Sequence, residues 1–191
     1  GREPRSLKVP GEEKFIGKGI SYCPICDAPL FRSKTVAVIG DGNAGFEAAI
    51  DLLSFAEKIY ILEVSEKLLA DEISQRKVKD SGKAEIIFQA KTLEIKGKNM
   101  VESLVYQDEA GPKKLKVDGV FIQIGSLPLT GFLKDSGLVE FNQSGEIMVD
   151  PKTCETKTRG LFAAGDATDV KYKQIGVAVG EGIKAALSAD Q

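Results

Sequence analysis

Histidine is absent from the 191 residues, and so is tryptophan. The first absence removes Ser-His-Asp and Cys-His catalysis and most zinc sites together, so acid–base work falls to carboxylates, lysine, tyrosine or thiol. Cysteine is scarce: three residues cannot knit a disulfide framework, and a lone C-x-x-C with neither a second pair nor a histidine cannot close a four-ligand zinc site. No metal site is expected. No apolar run approaches the roughly 20 residues that a membrane helix needs. The 26 Lys and Arg nearly balance 28 Asp and Glu for a formal net charge of −2, and the basic residues are scattered along the chain. Neither nucleic acid nor a membrane is therefore an expected partner. Gly1-Arg2-Glu3-Pro4-Arg5 has no signal-peptide character, and a cytoplasmic location is expected. The only methionines are Met100 and Met148 and the sequence opens in what reads as a loop, so a fragment of a longer chain is expected.

What is present is an ordinary globular composition, 42% hydrophobic, enough for one domain or two small ones. Residues 1–30 are rich in Gly, Pro and charge and read as connecting structure, with an extended stretch from Gly19 to Tyr22. Thr35 to Ile39 is a β-branched apolar run suited to a buried parallel strand. A helical face follows from Phe46 to Phe55, then a second strand, Ile59 to Leu62, ending at Glu63. This is a βαβ unit. Glu85 to Phe88 reads as a further strand. Thr92 to Glu109 with Lys114 to Val117 reads as an antiparallel meander turning at Gly111-Pro112, and Val120 to Ile124 as a returning strand. Gly125-Ser126-Leu127-Pro128 breaks the pattern and marks a domain crossing. Beyond it, Phe132 to Ser136 is expected as a short helix, Glu146 to Val149 and Leu161 to Ala164 as strands, and Ile175 to Ser188 as an amphipathic helix.

Two constellations carry chemistry. Gly40, Gly42 and Gly45 form a G-x-G-x-x-G directly after a strand and directly before a helix that opens through Asn43 and Ala44. Glycines there let the backbone turn and approach a pyrophosphate, which sits on the free N–H groups and positive end of the helix. Glu63 follows about 20 residues on, where a carboxylate can bind ribose hydroxyls and repel a 2′-phosphate. Val64-Ser65-Glu66 supplies no arginine, so NADH is favoured over NADPH. The second constellation is Cys23-Pro24-Ile25-Cys26-Asp27. A zinc half-site, a thioredoxin-like active site and a redox pair facing a flavin compete for it, and the nucleotide fold beginning about ten residues later favours the last. With no histidine, Asp27 is the natural proton donor to a departing thiolate. Cys154 stands alone in a polar stretch.

Tyr22 to Asp27, the glycine loop, and Gly160-Leu161-Phe162-Ala163-Ala164-Gly165-Asp166 occur in the order and spacing of one family. Over nearly its whole length the sequence resembles the C-terminal two-thirds of a low-molecular-weight thioredoxin reductase, a family that includes the flavoprotein component of alkyl hydroperoxide reductase. Glu63, standing where arginines are usual, and the Cys-Pro-x-Cys-Asp form lean toward that component. The resemblance implies an α/β architecture: a Rossmann-like three-layer nicotinamide-binding domain over residues 13–124, inserted into a partial FAD-binding domain made of residues 1–12 and 125–191. It implies that Gly125, Gly165, Asp166, Gln174 and Ile175 face FAD, with Asp166 on the ribityl chain and the last helix aimed at the flavin ring. It implies that Cys26 faces the flavin and Cys23 attacks a thioredoxin-like or peroxiredoxin-system partner, that the inserted domain rotates about its two crossings during turnover, and that the enzyme is a homodimer. Only one G-x-G-x-x-G is present, so the segment for the adenosine end of FAD is expected to lie elsewhere and this stretch to be inactive alone. Two other readings remain: a nicotinamide-binding module without turnover, and a redox-sensing interaction protein.

Overall fold

The computed structural model describes residues 1–40 and 42–190; Asp41 of the glycine loop and Gln191 lie outside the described residues. The elements run β1 (Arg2–Pro4), α1 (Glu12–Phe15), β2 (Ile20–Ser21), α2 (Pro24–Asp27), β3 (Thr35–Ile39), α3 (Asn43–Leu52), β4 (Lys58–Leu62), α4 (Glu72–Asp80) and β5 (Ala84–Ile87). They continue with β6 (Lys91–Gly97), β7 (Val101–Asp108), β8 (Gly111–Lys116), β9 (Gly119–Ile122), β10 (Ser126–Pro128) and α5 (Ile175–Ala189). Contacts divide the chain into two units, one of Pro4–Gly125 and one of Gly1–Glu3 with Ser126–Gln191. The first boundary therefore falls at Glu3–Pro4 rather than near residue 12. Leu7 and Val9 explain this, because they pack on the apolar cluster of the larger unit, and Pro10 accepts the Ile95 N–H at 2.9 Å.

The larger unit has three layers. Its centre is a wholly parallel five-stranded sheet in the order β2-β9-β3-β4-β5. Alternate residues of β3 face opposite sides: Val36 and Val38 join Phe46, Ala49 and Leu52 of α3 on one face, while Ala37 and Ile39 join Ile95, Leu104 and Tyr106 on the other. The second face is covered by the antiparallel meander β6-β7-β8. Both faces of β3 are thus buried, which is why its sequence is continuously apolar. Each large side chain removed from water there contributes about 1.5–3 kcal/mol.

Several sequence expectations need correction. Residues 1–30 contain α1 and α2 as well as the expected strand at Ile20–Ser21. The stretch Thr92 to Glu109 is two strands, β6 and β7, parted at residues 98–100, and Gly111-Pro112 begins β8 and pairs with Gln107 and Asp108 rather than forming the turn. Helix α4 was not expected at all. In the smaller unit, α5 forms as read, but Phe132–Ser136 gives only a 3₁₀ turn at Gly131–Leu133. The segments around Ile147 and Phe162 make isolated bridges instead of strands. Their N–H groups go to scattered acceptors, Ile147 to Ala167 and Ala163 to Cys154, so no consecutive ladder builds up. Cys154 is fully buried, and burial raises its pKa.

Candidate functional site

The glycine loop takes its shape from two close approaches. Gly40 has φ 150°, and a Cβ on it would lie 2.4 Å from the Gln123 carbonyl oxygen. A Cβ on Gly45 would lie 2.4 Å from the Gly40 carbonyl oxygen, so α3 can start this close to β3 only with glycine at that position. At Gly42, by contrast, a Cβ would meet nothing within 4 Å. Gly42 caps α3 without any side-chain hydrogen bond, so the first N–H groups of the helix have no capping acceptor among the described side chains. That is an anion-binding arrangement. Asn43 and Ala44 are exposed on the first turn, and Asn43 Oδ1 accepts the Asp71 N–H at 2.9 Å, tying the loop to the start of α4.

Glu63 follows β4 and is completely buried. Its main chain is locked into the sheet edge, the N–H donating to Ile87 O and the carbonyl accepting from Ala90 N. Oε1 accepts the Ser65 N–H at 2.8 Å, while Oε2 has no partner among the described residues. A solvated loop acid is therefore excluded. A buried carboxylate oxygen without a donor costs free energy unless a ligand satisfies it. Beside it, Gly40, Leu62, Val64, Lys91 and Thr92 line a cavity of about 170 Å³, and the buried Thr92 Oγ1 is likewise unpartnered. Among the described residues, Glu63 Oε2 and the first turn of α3 thus both lie at this end of the sheet without a side-chain partner.

Cys23 and Cys26 are joined as a disulfide with Cα atoms 5.3 Å apart. Cys23 caps α2 and Pro24 opens it, a favoured first position because no N–H is needed there. Ser21 holds the entry, accepting the Cys23 N–H at 3.0 Å and donating to its carbonyl at 3.3 Å. Cys26 is exposed and Cys23 half-buried. Asp27 lines a cleft of about 340 Å³ together with Ser21, Phe31, Lys34 and Asp118.

Two groups to which motif reading gives no role brace this segment. Glu12 is 2% exposed, yet Oε1 accepts from Leu7 N at 2.9 Å and Tyr22 Oη at 2.8 Å, and Oε2 from Ser6 Oγ at 2.7 Å and Lys8 N at 2.8 Å. Burial pushes its pKa up, but the bonds from Ser6, Leu7, Tyr22 and Lys8 outweigh this and hold it below the usual carboxylate value. Burial, then the Glu12 carboxylate, raises the Tyr22 phenol. The stabilisation is present above the unfolded-state pKa near 4.5 and is lost as pH falls through the lowered folded value. In Glu12→Gln either amide orientation sets an NH₂ against a backbone N–H, of Leu7 or of Lys8. Denaturant titration should show a loss of about 1–3 kcal/mol at pH 7, with the gap from the parent protein narrowing below about pH 4.5. A gap that is the same at pH 7 and pH 3 would rule out this account.

In the smaller unit, Gly165 (φ 75°) donates its N–H to Glu181 Oε2 at 3.0 Å and accepts from Thr168 Oγ1 at 2.8 Å, leaving Asp166 half-buried in the turn. Gln174 caps α5 with no side-chain bond, and Ile175 after it is 86% exposed. Glu146 joins Arg2 Nη1 at 2.5 Å and Lys173 Nζ at 2.9 Å, so the residue before Gln174 is anchored. Gly125, in the larger unit, has φ 87° and accepts the Arg5 N–H at 2.9 Å. Gly40, Gly42, Asn43, Ala44, Gly45 and Glu63 thus share one sheet edge, and Gly165 and Asp166 share one turn. No group of three or more His, Cys, Asp or Glu able to hold a metal occurs among the described residues.

Residues 1–182 match the pyridine nucleotide-disulphide oxidoreductase family. The sequence is 47% identical to the F component of alkyl hydroperoxide reductase in Escherichia coli K12 over 99% of this chain and 36% of that protein. It is 49% identical to the F component in Pseudomonas aeruginosa PAO1 over 97% of this chain and 36% of that one. The chain thus spans about a third of these relatives. A solved thioredoxin reductase from Streptococcus pyogenes MGAS5005 matches all of this chain with 62% of its own, at TM-score 0.84 and 33% identity. One from T. acidophilum gives TM-score 0.78 at 39% identity over 99% of this chain and 62% of its own.

Proposed function

The chain belongs to the pyridine nucleotide-disulphide oxidoreductase family, and on that premise we propose that it is the nucleotide and disulfide portion of a flavin-dependent disulfide reductase. The observation that carries the reading is the coexistence, in the unit Pro4–Gly125, of a closed Cys23–Cys26 pair and a glycine loop flanked by a buried, half-satisfied Glu63. The Cys23–Cys26 disulfide would be reduced at the expense of NADH and would in turn reduce a partner disulfide. The names of the relatives support a thioredoxin-like or peroxiredoxin-system protein as that partner. A cytoplasmic homodimer completes the proposal. No helix among the described residues is long and apolar enough to cross a membrane.

The chain's own groups divide the work. The α3 N-terminus takes the pyrophosphate, and Glu63 Oε2 accepts from a ribose hydroxyl, which favours NADH over NADPH because Val64-Ser65-Glu66 offers no cation to a 2′-phosphate. In the smaller unit Asp166 with the turn at Gly165, and Gln174 and Ile175 at the start of α5, are the residues that would hold the flavin. Bound FAD would supply the two-electron relay between dihydronicotinamide and disulfide. Once the pair is reduced, the Cys23 thiolate attacks a partner sulfur, one partner thiolate leaves, and Cys26 then displaces the partner by re-forming the Cys23–Cys26 bond. Asp27 supplies the proton to a departing thiolate.

In the full protein with FAD bound, anaerobic NADH should convert the pair to two thiols, read as two added alkyl groups on the peptide containing Cys23 and Cys26. A flavin that bleaches while the pair stays closed would replace this reading with the redox-sensing one. If neither changes, only a nucleotide-binding module remains.

A further inference from the structure

We infer that Gln123 is a positioning residue coupling nucleotide occupancy of the glycine loop to the redox state of the Cys23–Cys26 pair, an inference that rests on the functional reading above. Gln123 leaves the C-terminal end of β9, and its N–H donates to Ile39 O at 2.7 Å. Its main chain lies against the first loop glycine so closely that a Cβ on Gly40 would be 2.4 Å from Gln123 O and 3.1 Å from Gln123 Cβ. Gly40 has no room for a side chain on that side. On the other side, Gln123 Nε2 donates to the Tyr22 carbonyl at 3.2 Å. The Tyr22–Cys23 peptide therefore carries Gln123 on its oxygen and Ser21 Oγ on its N–H at 3.0 Å.

The Tyr22 side chain is held at its far end, its hydroxyl donating to Glu12 at 2.8 Å, so movement of the Tyr22–Cys23 peptide falls on the carbonyl that Gln123 holds. A displacement of Cys23 is consequently passed to Gln123 and from Gln123 to Gly40. Reduction provides such a displacement: two electrons and two protons break the Sγ–Sγ bond and leave two thiols free of the restraint that now holds the two Cα atoms 5.3 Å apart. In the oxidised arrangement a Cβ on Gly42 would meet nothing within 4 Å, and the first turn of α3 has no side-chain cap among the described residues. Nucleotide therefore binds the oxidised form more tightly, and by reciprocity bound nucleotide makes the pair harder to reduce.

NAD⁺ tests this without reducing anything itself. Isothermal titration of NAD⁺ into the 191-residue chain, oxidised and after treatment with excess phosphine reductant, should give a Kd about fivefold lower for the oxidised form. In a dithiothreitol redox buffer, whose dithiol supplies the electrons and closes to its own ring disulfide, saturating NAD⁺ should lower the midpoint potential of the pair by about 20 mV, the same factor at roughly 30 mV per tenfold. Gln123→Leu keeps the bulk and removes the donor, so its two Kd values should converge and the potential shift vanish. A packing role alone would weaken both states together and leave their ratio intact. Equal Kd values for the two states of the parent chain overturn the coupling, whether or not the variant folds, and so does a variant that retains the parent ratio. Failure of NAD⁺ to bind either state would instead overturn the nucleotide reading beneath it.

Discussion

Glu63→Ala combined with Ser65→Arg should move nucleotide preference in the full protein from NADH toward NADPH by roughly 1–3 kcal/mol, about 5- to 150-fold in the ratio of kcat/KM values. Two terms add. Removing the carboxylate deletes a fully buried charge whose Oε2 has no internal donor, so its repulsion of a 2′-phosphate goes with it. The arginine, two residues on, supplies the phosphate with the cation that Val64-Ser65-Glu66 lacks. Ser65 also donates its N–H to Glu63 Oε1 at 2.8 Å, so the single Ser65→Arg change leaves the carboxylate in place and should shift preference less than the pair. If the unaltered protein already shows the higher kcat/KM with NADPH, the role given to Glu63 is wrong.

Gly45→Ala should weaken NAD⁺ binding to the chain by roughly 10- to 150-fold, the loss of one hydrogen bond to a charged group at about 1.5–3 kcal/mol. The added methyl would start 2.4 Å from the Gly40 carbonyl oxygen. Non-bonded atoms settle near 3.5 Å, so α3 must withdraw by about 1 Å, taking the N–H groups of its first turn with it. The clash is with backbone, and no rotamer relieves it. A fluorescence or calorimetric titration decides the matter, with Gly42→Ala as the contrast, since a Cβ there meets no protein atom within 4 Å and would obstruct only the ligand. Near-parental affinity in Gly45→Ala would mean that the helix start does not hold the nucleotide.

The parts of this fold that can be read from sequence are those whose burial dictates composition. β3 is packed on both faces, so Val36 to Ile39 must be apolar, and Gly40 and Gly45 behind it must be glycines for reasons of space. Helix α4 gives no such signal. Of its apolar residues Ile73 is 81% exposed and only Val78 is fully buried, so there is no stripe to find. The local clue is Asp71, whose side chain accepts the Ser74 N–H at 2.9 Å as an N-cap. Glu12 was invisible for the opposite reason: a charged residue in a one-turn helix looks solvated until the folded chain brings four donors to it. Gln123 likewise acquires its meaning from Tyr22, 101 positions away, and no short-range pattern reports a contact of that span. The residues proposed to hold flavin were legible only through family motifs, since Asp166 lies in a 3₁₀ turn and Gln174 caps α5, and neither carries a periodicity of its own.

The hydrogen bond from Arg5 N to Gly125 O, 2.9 Å long, joins the two ends of the larger unit. A module that enters and leaves a host chain at neighbouring points asks the host only to bridge a short gap, so closing that gap costs little chain entropy however long the insert is. Such a piece can be traded as a cassette. Joined to a foreign scaffold at any exposed tight turn, residues 4–125 should keep their own cooperative unfolding transition, and the scaffold should keep its own.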